Sequence, residues 1–187
     1  MSPRVDETAP RHEAGRGASE VTGVEVLAPG MLTTVQDWPG RVGYWHIGVP
    51  PSGPMDDLSF RIGNRVLGNP EGAAGLECTR GGPALRFPTG GRVCVTGAPA
   101  AVTVDGDRAP QWQSITVPAG GLLEVGHLSG PGMRCYVLIA GGLTEPEYLG
   151  STATFTLATF GGHQGRALRA GDTLTVGPDP GPHEERP

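Results

Sequence analysis

Short apolar runs separated by Gly- and Pro-rich turns make up most of the chain. Strand-length runs fall at Val24–Leu27, Leu32–Val35, Ala84–Phe87, Arg92–Thr96, Ala101–Val104, Ser114–Val117, Leu122–Val125, Met133–Ile139 and Thr173–Val176. Gly81-Gly82, Gly90-Gly91, Gly120-Gly121 and Gly141-Gly142 punctuate them, and Asp105-Gly106 predicts a hairpin turn. Many short strands at close spacing predict a mainly β barrel or sandwich rather than a parallel sheet layered with helices. One stretch has a helical period instead. Between Met55 and Leu67, Leu58, Ile62 and Val66 recur at four-residue intervals and predict an apolar stripe. Asp56 and Asp57 suit the start of that helix, and Gly68-Asn69-Pro70 suits its end. Residues 1–20 and 178–187 are polar and without period, so they are expected to be disordered tails around an ordered domain over 21–177.

Composition narrows the classes. Gly 32 and Pro 19 exceed a quarter of the 187 residues, which the turn-rich pattern absorbs. Lysine is absent, the net charge is -5 and the arginines are scattered, so no phosphate-tracking surface is expected and nucleic acid is not an expected partner. No apolar run reaches the ~20 residues that span a bilayer, and the first residues lack a signal-peptide core. Cys78, Cys94 and Cys135 lie far apart, as expected of reduced, partly buried thiols in a cytoplasmic protein. There is no P-loop and no Gly-x-Ser-x-Gly elbow, and the five histidines never pair at zinc-ligand spacing. The chain is therefore expected to bind no metal and to hold no ATP by itself.

Any chemistry is expected in the irregular run Thr33–Asp56. A long loop inside a small domain usually has a function, and its Gly and Pro residues let backbone approach a ligand or another chain. The following helix points its N-terminus at this loop, where partial positive charge suits a carboxylate. The polar groups each have two readings. Asp37 either caps the Pro39-Gly40 turn or serves a site. Arg41 is placed to pair with Asp37 or Asp56, and Gln36 to satisfy buried backbone. His46, between Trp45 and Ile47, reads as a packed histidine before a catalytic one. Asp56 reads as a helix cap, and Asn64, mid-helix, as a residue that bonds across to the loop. Glu77 reads as a surface carboxylate.

The words of this run are recognisable. Leu32-Thr33-Thr34-Val35-Gln36-Asp37 followed by Gly48-Val49-Pro50-Pro51-Ser52-Gly53-Pro54-Met55-Asp56 resembles the biotin-dependent carboxyltransferase family, also called allophanate hydrolase subunit 2. That family includes urea carboxylase and a subunit of 5-oxoprolinase. Tyr44-Trp45, Asp56-Asp57-Leu58-Ser59-Phe60-Arg61, Gly63-Asn64-Arg65 and Gly68–Glu77 are most similar to the urea carboxylase branch. Thr96–Pro99, Gly141–Leu143, Tyr148–Ser151 and Gly165–Asp172 extend the resemblance through nearly all of the ordered region. Two positions depart from it: His46, where urea carboxylases often carry Asp, and Thr152, where Arg would follow Gly150-Ser151.

The resemblance implies a cyclophilin-like β-barrel and transfer of a carboxyl group from carboxybiotin to urea, giving allophanate. It implies biotin carried by another domain and ATP used by a partner domain. The implied partners are a carboxyltransferase subunit 1 domain, a biotin carboxylase and a biotin carrier domain. In its terms Asp37 and His46 are the candidate catalytic residues, and Gln36, Arg41, Ser52, Asp56 and Asn64 contact substrate. Family members continue through a second, similar half, whereas the pattern here stops near Val176, so the chain is expected to be the first half and inactive alone. Two other readings stay open: a subunit of ATP-dependent 5-oxoprolinase, and a non-catalytic binding or regulatory subunit.

Overall fold

The computed structural model describes residues 22–181; the tail expected over 1–20 lies outside them, as do residues 182–187. The described chain forms eleven strands, one α-helix and a 3-10 turn over Trp45–Ile47. The strands are β1 (Thr22–Ala28), β2 (Thr34–Gln36), β3 (Gly75–Thr79), β4 (Ala84–Phe87), β5 (Gly91–Gly97), β6 (Ala100–Val104), β7 (Asp107–Arg108), β8 (Ile115–Val117), β9 (Gly121–Leu128), β10 (Arg134–Ile139) and β11 (Thr173–Val176). The helix α1 spans Asp57–Leu67 between β2 and β3.

The mainly β class with one helix is as expected. The strands pair as two antiparallel sheets, β11-β1-β4-β9-β6-β7 and β2-β3-β10-β5-β8, so the barrel is not closed by a continuous ladder. Alternation explains their packing. In β9, Gly121, Leu123 and Val125 are buried while Glu124 and Gly126 face out. Leu85 and Phe87 of β4 and Val24 and Val26 of β1 join them against Val35, Leu76, Val93, Val95, Val137 and Ile139 of the other sheet. The hairpin at Asp105-Gly106 forms as expected, with φ of 51° and 87° at the two turn residues.

β10 carries no alternation because both of its faces are covered. Cys135, Val137 and Ile139 enter the core between the sheets, while Tyr136 and Leu138 meet α1 on the outside. Phe60 of α1 packs edge-on to Tyr136 with ring centroids 5.7 Å apart. All three cysteines are free and buried, and burial pushes the Cys94 thiol up to about 12.

The face of α1 is not the expected one. Leu58 is 61% exposed and Ile62 37% exposed, while Ser59, Phe60, Gly63, Asn64 and Leu67 are buried. Gly63 decides this: a Cβ there would stand 2.6 Å from Leu138 Cδ2, so the helix lies on the sheet at its side-chain-free position. The helix ends as expected, with Gly68 at φ 83° donating its N–H to the last turn. Two strands have no counterpart among the expected runs, β3 and the two-residue β7. Past β11, Asp179 accepts from Arg92 Nε at 2.9 Å.

Candidate functional site

The chain between β2 and α1 folds back on itself. Gly40, at φ 78°, leaves no room for a Cβ, which would lie 2.6 Å from the Pro51 carbonyl. Arg41 N–H donates to that same carbonyl at 2.6 Å. Ser52 and Gly53 take φ of 57° and 86° and return the chain to Gln36, whose Oε1 accepts from Gly53 N–H at 2.9 Å. Gln36 Nε2 donates to Thr34 Oγ1 at 3.0 Å and to the Thr154 carbonyl at 3.4 Å. Gln36 therefore satisfies buried backbone, as its residue type suggests.

Asp37 and Arg41 fasten this loop to a distant segment, residues 148–154. Asp37 accepts from Ser151 Oγ at 2.6 Å and from Thr152 N–H at 2.8 Å, so it caps that segment and not the Pro39-Gly40 turn. Arg41 is fully buried. Its partners are main-chain carbonyls, of Tyr148 at 2.7 Å, Ser151 at 3.2 Å and Ala153 at 2.9 Å, and not the carboxylates expected. Its guanidinium lies 4.8 Å from the Phe160 ring centroid, and its third nitrogen has no partner among the described residues. Burial lowers its pKa, and the Asp37 charge opposes that shift.

The start of α1 is already supplied with acceptors. Asp56 is the cap, accepting from Ser59 N–H at 3.1 Å and from the Ser59 hydroxyl. Met55 N–H donates to Glu77 Oε2 at 2.7 Å, and Asp56 N–H to Tyr136 Oη at 2.8 Å. Glu77 also meets Arg134 Nε at 3.3 Å. It is a largely buried, paired carboxylate and not the surface group expected. Burial, reinforced by Glu77, pushes the Tyr136 phenol well up. The protein's own Glu77 and Asp56 thus occupy the anion-attracting helix end. Beside it, Asp56, Ser59 and Arg134 line a cavity of about 340 Å³.

The remaining expected residues diverge. His46 is exposed in its 3-10 turn between Trp45 (72% exposed) and Ile47 (63%), so it is not packed. Ser52 is half-buried at the loop's return. Asn64 is buried and donates to the carbonyls of Glu71 at 3.2 Å and Ala73 at 2.8 Å, while its Oδ1 accepts from Asn69. It holds the turn after α1, not the Gln36–Asp56 loop. The structure brings together Gln36, Asp37 and Arg41 through residues 148–154, and adds Glu77, Arg134, Tyr136 and Ser151. Among the described residues no group of three or more His, Cys, Asp or Glu is placed to hold a metal, and no helix is long and apolar enough to cross a membrane.

This architecture has known relatives. Residues 47–187 match the family model "Carboxyltransferase domain, subdomain A and B", and the chain belongs to that family. It is 47% identical over 155 residues to the urea amidolyase of Saccharomyces cerevisiae, covering 83% of this chain and 8% of that protein. It is 34% identical over 154 residues to a 5-oxoprolinase subunit of Escherichia coli, covering 82% of this chain and 49% of that one. The crystal structure of Kluyveromyces lactis urea carboxylase superposes with a TM-score of 0.82 at 44% identity, over 89% of this chain and 15% of that one. The chain thus spans a small part of the urea amidolyase and urea carboxylase chains and about half of the 5-oxoprolinase subunit.

Proposed function

We propose that this chain is part of a biotin-dependent carboxyltransferase of the urea carboxylase type, acting on urea to give allophanate. The observation that carries this reading is the identity gradient. Over nearly the same stretch the chain is 47% identical to a urea amidolyase and 34% identical to a 5-oxoprolinase subunit. Carboxybiotin, when bound, would supply the carboxyl group, and this chain's loop residues would hold urea to receive it.

The chain's own residues fit a receiving role. These 187 residues contain no lysine that could carry biotin, which fits a reading in which biotin arrives on a carrier domain. Gln36, Asp37 and Arg41 fix the loop, and Asp56 and Asn64 fix the helix behind it. Of the residues singled out from the sequence, that leaves His46 and Ser52 free to meet substrate, His46 to move the urea proton and Ser52 to donate a hydrogen bond. Trp45, Ile47, Met55 and Leu58 are each more than 60% exposed in the same stretch. Such an apolar surface is covered when a partner domain docks, here the carboxyltransferase subunit 1 domain. ATP is consumed on the biotin carboxylase.

A subunit of 5-oxoprolinase is the second reading, supported by 34% identity over 154 residues to such a subunit. One assay separates them. The chain is combined with the remaining carboxyltransferase parts, carrier and biotin carboxylase, and ATP turnover is followed with urea or 5-oxoproline. Urea-dependent turnover is expected; dependence on 5-oxoproline transfers the assignment.

A further inference from the structure

One register row of the β2-β3-β10-β5-β8 sheet is made of side chains that carry a hydroxyl or a carboxylate. Thr34 of β2 stands opposite Glu77 of β3, Glu77 opposite Tyr136 of β10, and Tyr136 opposite Thr96 of β5. Opposed residues share a face of the sheet, and the next row along points the other way. That next row is Val35, Leu76, Val137 and Val95, all in the core between the sheets. The polar row therefore faces outward, under the end of the Gln36–Asp56 loop and the start of α1. Thr34, Tyr136 and Thr96 are buried there, and Glu77 nearly so.

The backbone of residues 53–59 is gripped by these four strands in their order across the sheet. Thr34 Oγ1 accepts from Gln36 Nε2, and Gln36 Oε1 accepts from Gly53 N–H at 2.9 Å. Glu77 Oε2 accepts from Met55 N–H at 2.7 Å, and Tyr136 Oη from Asp56 N–H at 2.8 Å. Thr96 Oγ1 donates to the Ser59 carbonyl at 2.9 Å. Pro54 has no N–H, so from Gly53 to Asp56 every main-chain donor is used. Just upstream, Arg41 N–H donates to the Pro51 carbonyl. Ser52, at φ 57°, is thus flanked by fixed backbone on both sides, and its half-buried side chain makes no hydrogen bond among the described residues. Glu77 is the costly member of the row. Its other oxygen meets Arg134 Nε at 3.3 Å, and an ion pair so nearly buried adds less to stability than an apolar pair of the same shape. Its charge-assisted bond to Met55 N–H, however, is shorter and stronger than a neutral one and holds the backbone in one place.

We propose that Glu77 is a positioning residue for the carboxyl transfer: through Met55 N–H it fixes the place from which the Ser52 hydroxyl donates to the substrate. Tyr136 assists from the neighbouring strand through Asp56 N–H. Neither residue touches the substrate, and both act on Ser52 through main chain. The proposal rests on the carboxyltransferase reading above.

The test is a double-mutant cycle in the reassembled enzyme, read as urea-dependent ATP turnover. Ser52→Ala is expected to lower kcat about 100-fold. Glu77→Gln is expected to lower kcat about tenfold and to leave KM for urea within about twofold, because a misplaced donor is felt in the transition state. In the Ser52→Ala background Glu77→Gln is expected to cause no further loss, since the group it places is gone. Tyr136→Phe keeps its ring against Phe60 and is expected to behave alike, with a loss of about fivefold. Losses that multiply overturn the proposal, and so does full kcat in Glu77→Gln. A second measurement needs no variant and no partner domain. In the 187-residue chain, amide hydrogen exchange is expected to be slow at Gly53, Met55 and Asp56. Fast exchange at Met55 overturns the proposal even where every variant fails to fold. An unaltered enzyme without urea-dependent turnover refutes the carboxyl-transfer reading instead, and hydrogen exchange then decides whether Glu77 holds the loop.

Discussion

Ser151 Oγ donates to Asp37 Oδ1 at 2.6 Å across a separation of 114 residues. The same hydroxyl accepts from Ala153 N–H at 2.9 Å, and Thr152 N–H donates to the second Asp37 oxygen. Asp37→Ala strips partners from a buried hydroxyl and a buried N–H at once. Stability is expected to fall by about 2–4 kcal/mol, measured by denaturant unfolding. A loss below ~0.5 kcal/mol would show that the strap contributes nothing to the fold.

Arg41 is a less forgiving position than its charge suggests. Three carbonyls converge on one planar guanidinium, and a lysine ammonium cannot span them from the same place. Arg41→Lys is expected to cost about 2–3 kcal/mol in spite of keeping the charge. Thermal melts of the two proteins decide it, and equal melting temperatures would contradict the geometry.

Two effects oppose each other at Gly63. Alanine favours a helix interior over glycine by about 1 kcal/mol. The new methyl, however, would meet Leu138 Cδ2 at 2.6 Å and Thr96 Cγ2 at 3.1 Å in a filled interface. Overpacking of that kind costs about 1–3 kcal/mol, so Gly63→Ala is expected to destabilise on balance. A stabilised variant in chemical denaturation would mean the helix can lift from the sheet freely.

The two Arg166 hydrogen bonds and the Arg169 N–H hold the Asp172 carboxyl at about 2, below its ordinary 3.8. A depressed carboxylate contributes stability that is present above the ordinary value and is lost as pH falls through the folded one. The loss is expected between pH about 4 and about 2. Asp172→Asn should flatten the profile of unfolding free energy over that window; an unchanged acid limb refutes the assignment.

His46 is expected to be silent in folding, because it is exposed and makes no side-chain hydrogen bond among the described residues. His46→Ala should change stability by less than about 0.5 kcal/mol. In the reassembled enzyme it should lower kcat for urea-dependent turnover by ~100-fold. Full activity removes His46 from the proton-transfer role.

Much of the scaffold is readable from the chain, and the failures have physical causes. The ends of α1 are legible because capping chemistry is local: Asp56 and Gly68 do what their types do. Its buried face is only partly so: Val66 of the apolar stripe packs on the core, but Leu58 and Ile62 do not, and the contact face adds Phe60, Leu67 and also Gly63 and Asn64, which no hydrophobicity count selects. β3 escapes the apolar pattern since Glu77 and Thr79 break it, Glu77 being buried by pairing with Arg134. At the site, Gln36, Asp37 and Arg41 stand out by residue type, but the side-chain partners of Asp37 and Arg41, and one of those of Gln36, lie over a hundred residues away. The Tyr148–Ser151 run, legible only as part of a family phrase, carries no local signal that it holds them.

The strap between the loop and residues 148–154 also has a consequence for how the molecule assembles. Its bonds join positions 107 to 119 residues apart. Such contacts come late, since the entropy of bringing the ends together must be met before any of them forms. During synthesis the β2-β3-β10-β5-β8 sheet can pair while Arg41 still waits for carbonyls that have not left the ribosome. The loop therefore acquires its shape only after that sheet exists, and the docking of β11 on β1 closes the molecule later still.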